Sequence, residues 1–80
     1  MEPKNRTLDS IGAGETARVT SLQMCGTIRS RLMDIGMISG ALVTCVHTGR
    51  GIAAYRICGA VIALRSTDAK RILIETKPPV

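Results

Sequence analysis

Apolar and polar residues alternate over Thr16–Leu22, with Ala17, Val19 and Ser21 on one side and Arg18, Thr20 and Leu22 on the other. That is the period of a strand. The preceding Ile11-Gly12-Ala13-Gly14-Glu15 reads as a turn, punctuated by two glycines. The period then changes. Ile28, Leu32 and Ile35 stand at i, i+4 and i+7, which places them on one face of a helix. Thr27 is positioned to cap that helix at its start, and Gly36 to end it in a left-handed conformation at no steric cost. The predicted helix, Thr27–Ile35, is too short to stand alone in water and must pack on other structure.

The remaining pattern is β. Ala41–His47 and Ile52–Ile57 are rich in β-branched and apolar residues, and Gly49-Arg50-Gly51 between them suits a hairpin loop longer than two residues. Gly59 marks a second tight turn or a bulge before a strand over Ala60–Leu64. Ser66-Thr67-Asp68-Ala69 has room for one helical turn. In Arg71–Glu75, Ile72 and Ile74 alternate with Leu73 and Glu75, which makes a closing strand. Lys77-Pro78-Pro79 ends pairing, because proline offers no donor to a ladder, and polar Met1–Arg6 reads as a fraying end. The expected fold is mainly β, a small barrel or open-barrel sandwich of about five strands with one short inserted helix.

Composition narrows this picture. A chain of 80 residues without repeat or linker is read as a single domain over 1–80, with an ordered core at about 8–75. No apolar run approaches the roughly 20 residues of a membrane span, and the first ten residues lack the apolar stretch of a secretory signal. A cytoplasmic location is the expectation. Tyr55 is the single aromatic residue, so the core is expected to consist of Ile, Leu, Val, Met and Ala. The stacking platforms of single-stranded nucleic-acid binders are missing.

The net charge is +5, from 11 basic and 6 acidic residues, and the basic residues run from Lys4 to Lys77 without clustering. Eight are arginine and three lysine, a balance that favours bidentate contact with carboxylates or phosphates. A basic face against an acidic protein, or near an anionic membrane leaflet, fits better than base reading, and no nucleic-acid partner is expected.

Chemistry-bearing groups are few. His47 is the single histidine and shares a strand face with Cys45 two residues away. A nucleophilic site would also need an orienting third group and an oxyanion site, which the sequence does not offer, so an enzyme is not expected. Cys45, His47 and Cys58 are weak candidates for a transition-metal site taking Fe2+ or Zn2+. Against this, Cys25, Cys45 and Cys58 read as reduced, buried small hydrophobes, and no cofactor is required. Gly12-Ala13-Gly14 and Gly49-Arg50-Gly51 open no helix after a strand, so they are turns and not phosphate cradles. Met24, Met33 and Met37 flank the helix, where they suit either an adaptable docking surface or gap filling in a core without Phe.

Three segments in order carry a family resemblance. Arg31-Leu32-Met33-Asp34-Ile35-Gly36-Met37-Ile38-Ser39-Gly40 resembles the RL-x-x-(L/M/I)-G-(L/M)-x-x-G signature of the FeoA family, the small ferrous iron transport protein A. Leu8 to Val19 looks like its opening L-x-x-L-x-x-G-x-x-(A/G)-x-V, and Gly59 to Arg65 resembles its G-x-x-(I/L)-A-L-R strand. Ser39 departs from a common proline in the helix-exit turn, and Gly51-Ile52 from a common acidic-proline step. The resemblance implies an SH3-like barrel and a non-enzymatic cytosolic accessory of ferrous iron uptake. Its implied partner is FeoB, a membrane ferrous iron transporter with a cytosolic GTP-binding domain, so contact with the membrane would run through that partner only. The same module occurs at the end of iron- and manganese-dependent transcriptional repressors. The alternative is therefore a transition-metal-binding regulatory module of iron homeostasis, acting through His47 and nearby groups. For docking, the expected surface combines apolar anchors Met33, Met37 and Ile38 with a basic rim of Arg29, Arg31 and Arg50.

Overall fold

Strands form where the alternation predicts them, and the computed structural model, which describes residues 6–76, joins them into one antiparallel sheet. β1 (Arg6–Thr7) leads into a 3₁₀ turn (Leu8–Ser10), followed by β2 (Thr16–Leu22) and α1 (Thr27–Asp34). β3 (Leu42–Thr48), β4 (Ile52–Ile57) and β5 (Ala60–Arg65) then form a meander. A single helical turn, α2 (Ser66–Ala69), precedes β6 (Ile72–Thr76). The order across the sheet is β1-β6-β2-β3-β4-β5. There are six strands where about five were expected. The extra one, β1, is too short to show alternation and exists through its pairing, Arg6 with Ile74 and Thr7 with Leu73. Of the end expected to fray, Met1–Arg6, Arg6 is instead paired in β1; Met1–Asn5, with Lys4, and the strand-ending Lys77-Pro78-Pro79 lie outside the described residues.

β2 serves two partners. Thr16–Arg18 pair with β3, and Ala17–Leu22 pair with β6 across a register shift between Val19 and Ser21. A second shift lies in β3 between Cys45 and His47. Such bulges increase local twist and bend the strand around the core. The β4–β5 turn is the two-residue Cys58-Gly59, with φ of 50° and 82°, the sign that a type I′ hairpin requires. The β3–β4 loop is longer, as expected, with the Gly49 N–H donating to the Ile52 carbonyl at 2.8 Å. No helix among the described residues is long and apolar enough to cross a membrane.

Buried Leu8, Val19, Val43, Ile57, Ile72 and Ile74 give the core its aliphatic character. Its largest fully buried side chain, however, is Tyr55, which corrects the expectation of a purely aliphatic and methionine interior. The phenol is tolerated there because its hydroxyl donates to the Leu8 carbonyl at 3.5 Å.

The helix also differs from expectation. Gly26, not Thr27, is the N-cap residue, no side chain caps the first turn, and Thr27 is the first helical residue. Of the predicted core stripe only Leu32 is buried; Ile35 is half-buried and Ile28 is 37% exposed. An eight-residue helix lying against a curved sheet touches it along one line, and Leu32 occupies that line.

Burial pushes the Tyr55 phenol up from its ordinary 10.0 to about 12, with Cys45 and Asp9 adding to the shift. The phenolate is the disfavoured form, so the folded chain holds this proton more tightly than the unfolded one. The resulting stabilisation is complete below pH 10 and is lost as pH rises towards about 12. Tyr55 is the single tyrosine, so tyrosinate absorbance reports it alone. The expected result is that tyrosinate appears together with loss of sheet circular dichroism in that window, and that Tyr55→Phe moves alkaline unfolding upward. Titration near 10 with the sheet intact would contradict the buried placement.

Candidate functional site

The most informative surface is built where α1 ends. The Gly36 N–H donates to the Met33 carbonyl at 3.0 Å and the Met37 N–H to the Leu32 carbonyl at 2.9 Å, the paired bonds of a Schellman turn. Gly36 takes φ of 102°, and a Cβ added there would meet the Cys58 Sγ at 2.5 Å. Glycine is needed twice over, for its backbone and for the close approach of the β4–β5 turn. The reversal sends Met37 into the core, fully buried with Leu32.

Openings lie on more than one side of α1, and two of them bear on the residues expected from sequence. The first, of about 480 Å³, has Arg29, Met33 and Ile38 at its margin and Leu22 and Met37 among its lining. Met33 is 39% and Ile38 47% exposed, high values for side chains of this size and polarity. Of the anchors expected from sequence, Met33 and Ile38 thus line one opening as exposed side chains, whereas Met37 is buried. As the residue after the left-handed glycine it turns inward and fills the core, which settles its two readings in favour of packing. Met24 is buried as well.

The expected basic rim is divided. Arg29 borders this opening, while Arg31, two residues on and about 200° round the helix, lines the other one. Arg50 sits in the β3–β4 loop. The second opening, of about 760 Å³, lies between α1 and β5, with Ile28, Leu32 and Ile35 facing Ile52, Ile62 and Leu64. Sequence reasoning missed this groove. Periodicity marks the helical stripe as apolar but does not say that it stands off from the sheet.

The metal candidates do not come together. Alternation would put Cys45 and His47 on one face, but the bulge between them breaks it, leaving Cys45 buried and His47 exposed. Cys45 pairs with Tyr55 and His47 with Ala54, so Cys58, in the turn after β4, lies three residues beyond the first partner and four beyond the second, about 10–13 Å away at strand spacing. Among the described residues no group of three His, Cys, Asp or Glu side chains converges. The expectation that all three cysteines are buried is also corrected. Cys25 and Cys58 are exposed and only Cys45 is buried, because Cys25 lies between β2 and α1 and Cys58 in a tight turn.

A small antiparallel sheet with a short inserted helix is the architecture of the SH3-like type. The FeoA domain model matches residues 6–76, and the chain belongs to the FeoA family. Among solved structures, the zinc complex of Stenotrophomonas maltophilia FeoA is 27% identical, with a TM-score of 0.77 over 86% of this chain and 88% of that one. That protein is described as a prokaryotic SH3 domain protein with a suggested role as a bacterial ferrous iron transport activating factor. Chlorobium tepidum FeoA is 25% identical, with a TM-score of 0.78 over 89% of this chain and 70% of that one. A manganese-dependent transcriptional repressor in complex with manganese shares the fold at 19% identity, with a TM-score of 0.83 over 96% of this chain and 39% of that one. No curated protein matches the chain by sequence.

The thiol placement is directly testable. A thiol reagent is expected to modify Cys25 and Cys58 in the native protein and Cys45 only on unfolding, so that native labelling stops at two of the three cysteines. Fast modification of Cys45, slowed by zinc, would instead make it an accessible ligand.

Proposed function

We propose that this chain is a non-enzymatic accessory of ferrous iron uptake that docks on the cytosolic part of a FeoB-type transporter through the Met33–Ile38 face. Membership of the FeoA family supports the setting. The observation that carries the surface is the pair of exposed apolar side chains, Met33 and Ile38, held by the rigid turn at Gly36 with Arg29 at the margin. Aliphatic anchors at the centre of a patch supply most of the energy, and a rim charge acts mainly on the association rate. In this reading zinc and ferrous iron bind weakly, through single exposed donors such as His47, and docking survives a chelator.

A domain this small can offer about 600–800 Å² to a partner, the lower end of specific interfaces. Micromolar affinity is expected, about 8 kcal/mol. Calorimetry against the purified cytosolic portion of the transporter tests this. Met33→Asp should weaken binding by about tenfold or more, whereas Arg29→Ala should act less, and mainly by slowing association as salt rises. Unchanged affinity for Met33→Asp, or no binding by the unmodified protein, would overturn the assignment.

A further inference from the structure

β5 is an outer strand and pairs with β4 alone. Its register shows which backbone groups are left over. The two-residue Cys58-Gly59 turn makes Ile57 and Ala60 a hydrogen-bonded pair, and an antiparallel ladder alternates bonded with non-bonded pairs. Tyr55 with Ile62 and Ala53 with Leu64 are then the other bonded pairs. The N–H and C=O groups of Val61 and Ala63 point away from β4, and among the described residues no turn, loop or side chain bonds to them.

Proteins usually blunt such an edge with a lysine, a proline, a bulge or a cover. β5 uses none of the first three. Ala60-Val61-Ile62-Ala63-Leu64 is uninterrupted and apolar, its pairing with β4 runs without a register shift, and Val61 is 55% exposed. Beside this edge lies the opening of about 760 Å³ bounded on its far side by α1. Its walls are Ile28 and Ile35 from the helix and Ile62 from the strand. Arg31, Arg65 and Asp68 are its charged lining residues, two cations to one anion. Neither arginine has a carboxylate within 4.0 Å among the described residues, where the one ion pair is Arg18 with Glu75.

We propose that the β5 edge and the α1 groove together take an extended segment of another protein, apolar at alternate positions and acidic at its flanks, as a seventh strand. The segment's main chain bonds to Val61 and Ala63, alternate side chains enter the groove between Ile28, Ile35 and Ile62, and flanking carboxylates pair with Arg31 and Arg65. A free strand edge running beside an apolar groove suits an extended chain, because backbone and side chains are both satisfied in one register. Charge selects an acidic segment. A second copy of this chain would bring a further +5 to a rim that is already positive, and the chain's own Lys77-Pro78-Pro79 is basic and short of donors. The site lies on a different flank of α1 from Met33 and Ile38, so it is independent of the transporter-docking face.

The probe is a blocked synthetic peptide of alternating valine and threonine with two aspartates at each end, titrated into the nitrogen-labelled full chain. At saturation the amides of Val61 and Ala63 are expected to exchange about tenfold more slowly or better. N-methylating the peptide's pairing amides, or replacing its aspartates by lysines, should each weaken binding by about tenfold at low salt. Ala63→Pro removes an outward amide that β4 does not use, at the kind of edge position where proline is tolerated, and should abolish binding. Ile28→Asp, on the exposed wall of the groove, gives the same loss without touching the sheet. Equal binding of the N-methylated peptide overturns the proposal, as do shifts confined to Met33 and Ile38, or no binding. Protection of Val61 and Ala63 that grows with protein concentration in the absence of peptide also overturns it, by assigning the edge to a second copy.

Discussion

The left-handed turn at Gly36 is the constraint on which the useful surfaces of this molecule depend. A residue with a Cβ would carry a backbone penalty of about 1–2 kcal/mol there. It would also place that Cβ 2.5 Å from the Cys58 sulfur. With glycine in place, the Leu32 and Met33 carbonyls at the end of α1 are satisfied, Met37 enters the core, and the β4–β5 turn packs close against the helix exit. Burying a Leu or Met side chain is worth about 1.5–3 kcal/mol each. That contribution from Leu32 and Met37 holds in place a helix of eight residues that would not persist in isolation.

The turn also sorts the apolar residues around α1. Leu32 and Met37 face inward, Met33 and Ile38 remain on one flank, and Ile28 and Ile35 line the groove towards β5. The two flanks carry different charged residues, with Arg29 beside the first and Arg31, Arg65 and Asp68 beside the second. Aliphatic side chains and arginines thus line both openings beside α1.

Much of the architecture is legible in local pattern. β2 falls on the residues that alternation marks and β4 on those that apolar and β-branched content marks, α2 is the single turn that Ser66–Ala69 allows, and Gly36 ends the helix as its neighbours imply. What pattern does not carry is set by tertiary geometry. β1 is two residues held by its partner, and the bulge within β3 separates Cys45 from His47, which a regular strand would have placed together. The type I′ turn forces Cys58 to the surface whatever its hydrophobicity. Met37 and Met33 are indistinguishable by composition, and only the hand of the turn between them sends one into the core and leaves the other exposed. The candidate surface was therefore half legible: its residues were nameable, but not which of them share a face.

Under the proposed function, the exposed pair at the helix exit, and not the charged loops, meets the transporter. The most direct measurement is a methyl-resolved nuclear magnetic resonance titration, with labelled methionine and isoleucine, against the cytosolic portion of a FeoB-type transporter. The Met33 and Ile38 methyls are expected to shift and broaden, while those of buried Met24, Met37, Ile72 and Ile74 hold their positions. Perturbation centred on Ile52 next to the Arg50 loop, with Met33 and Ile38 unmoved, would contradict it.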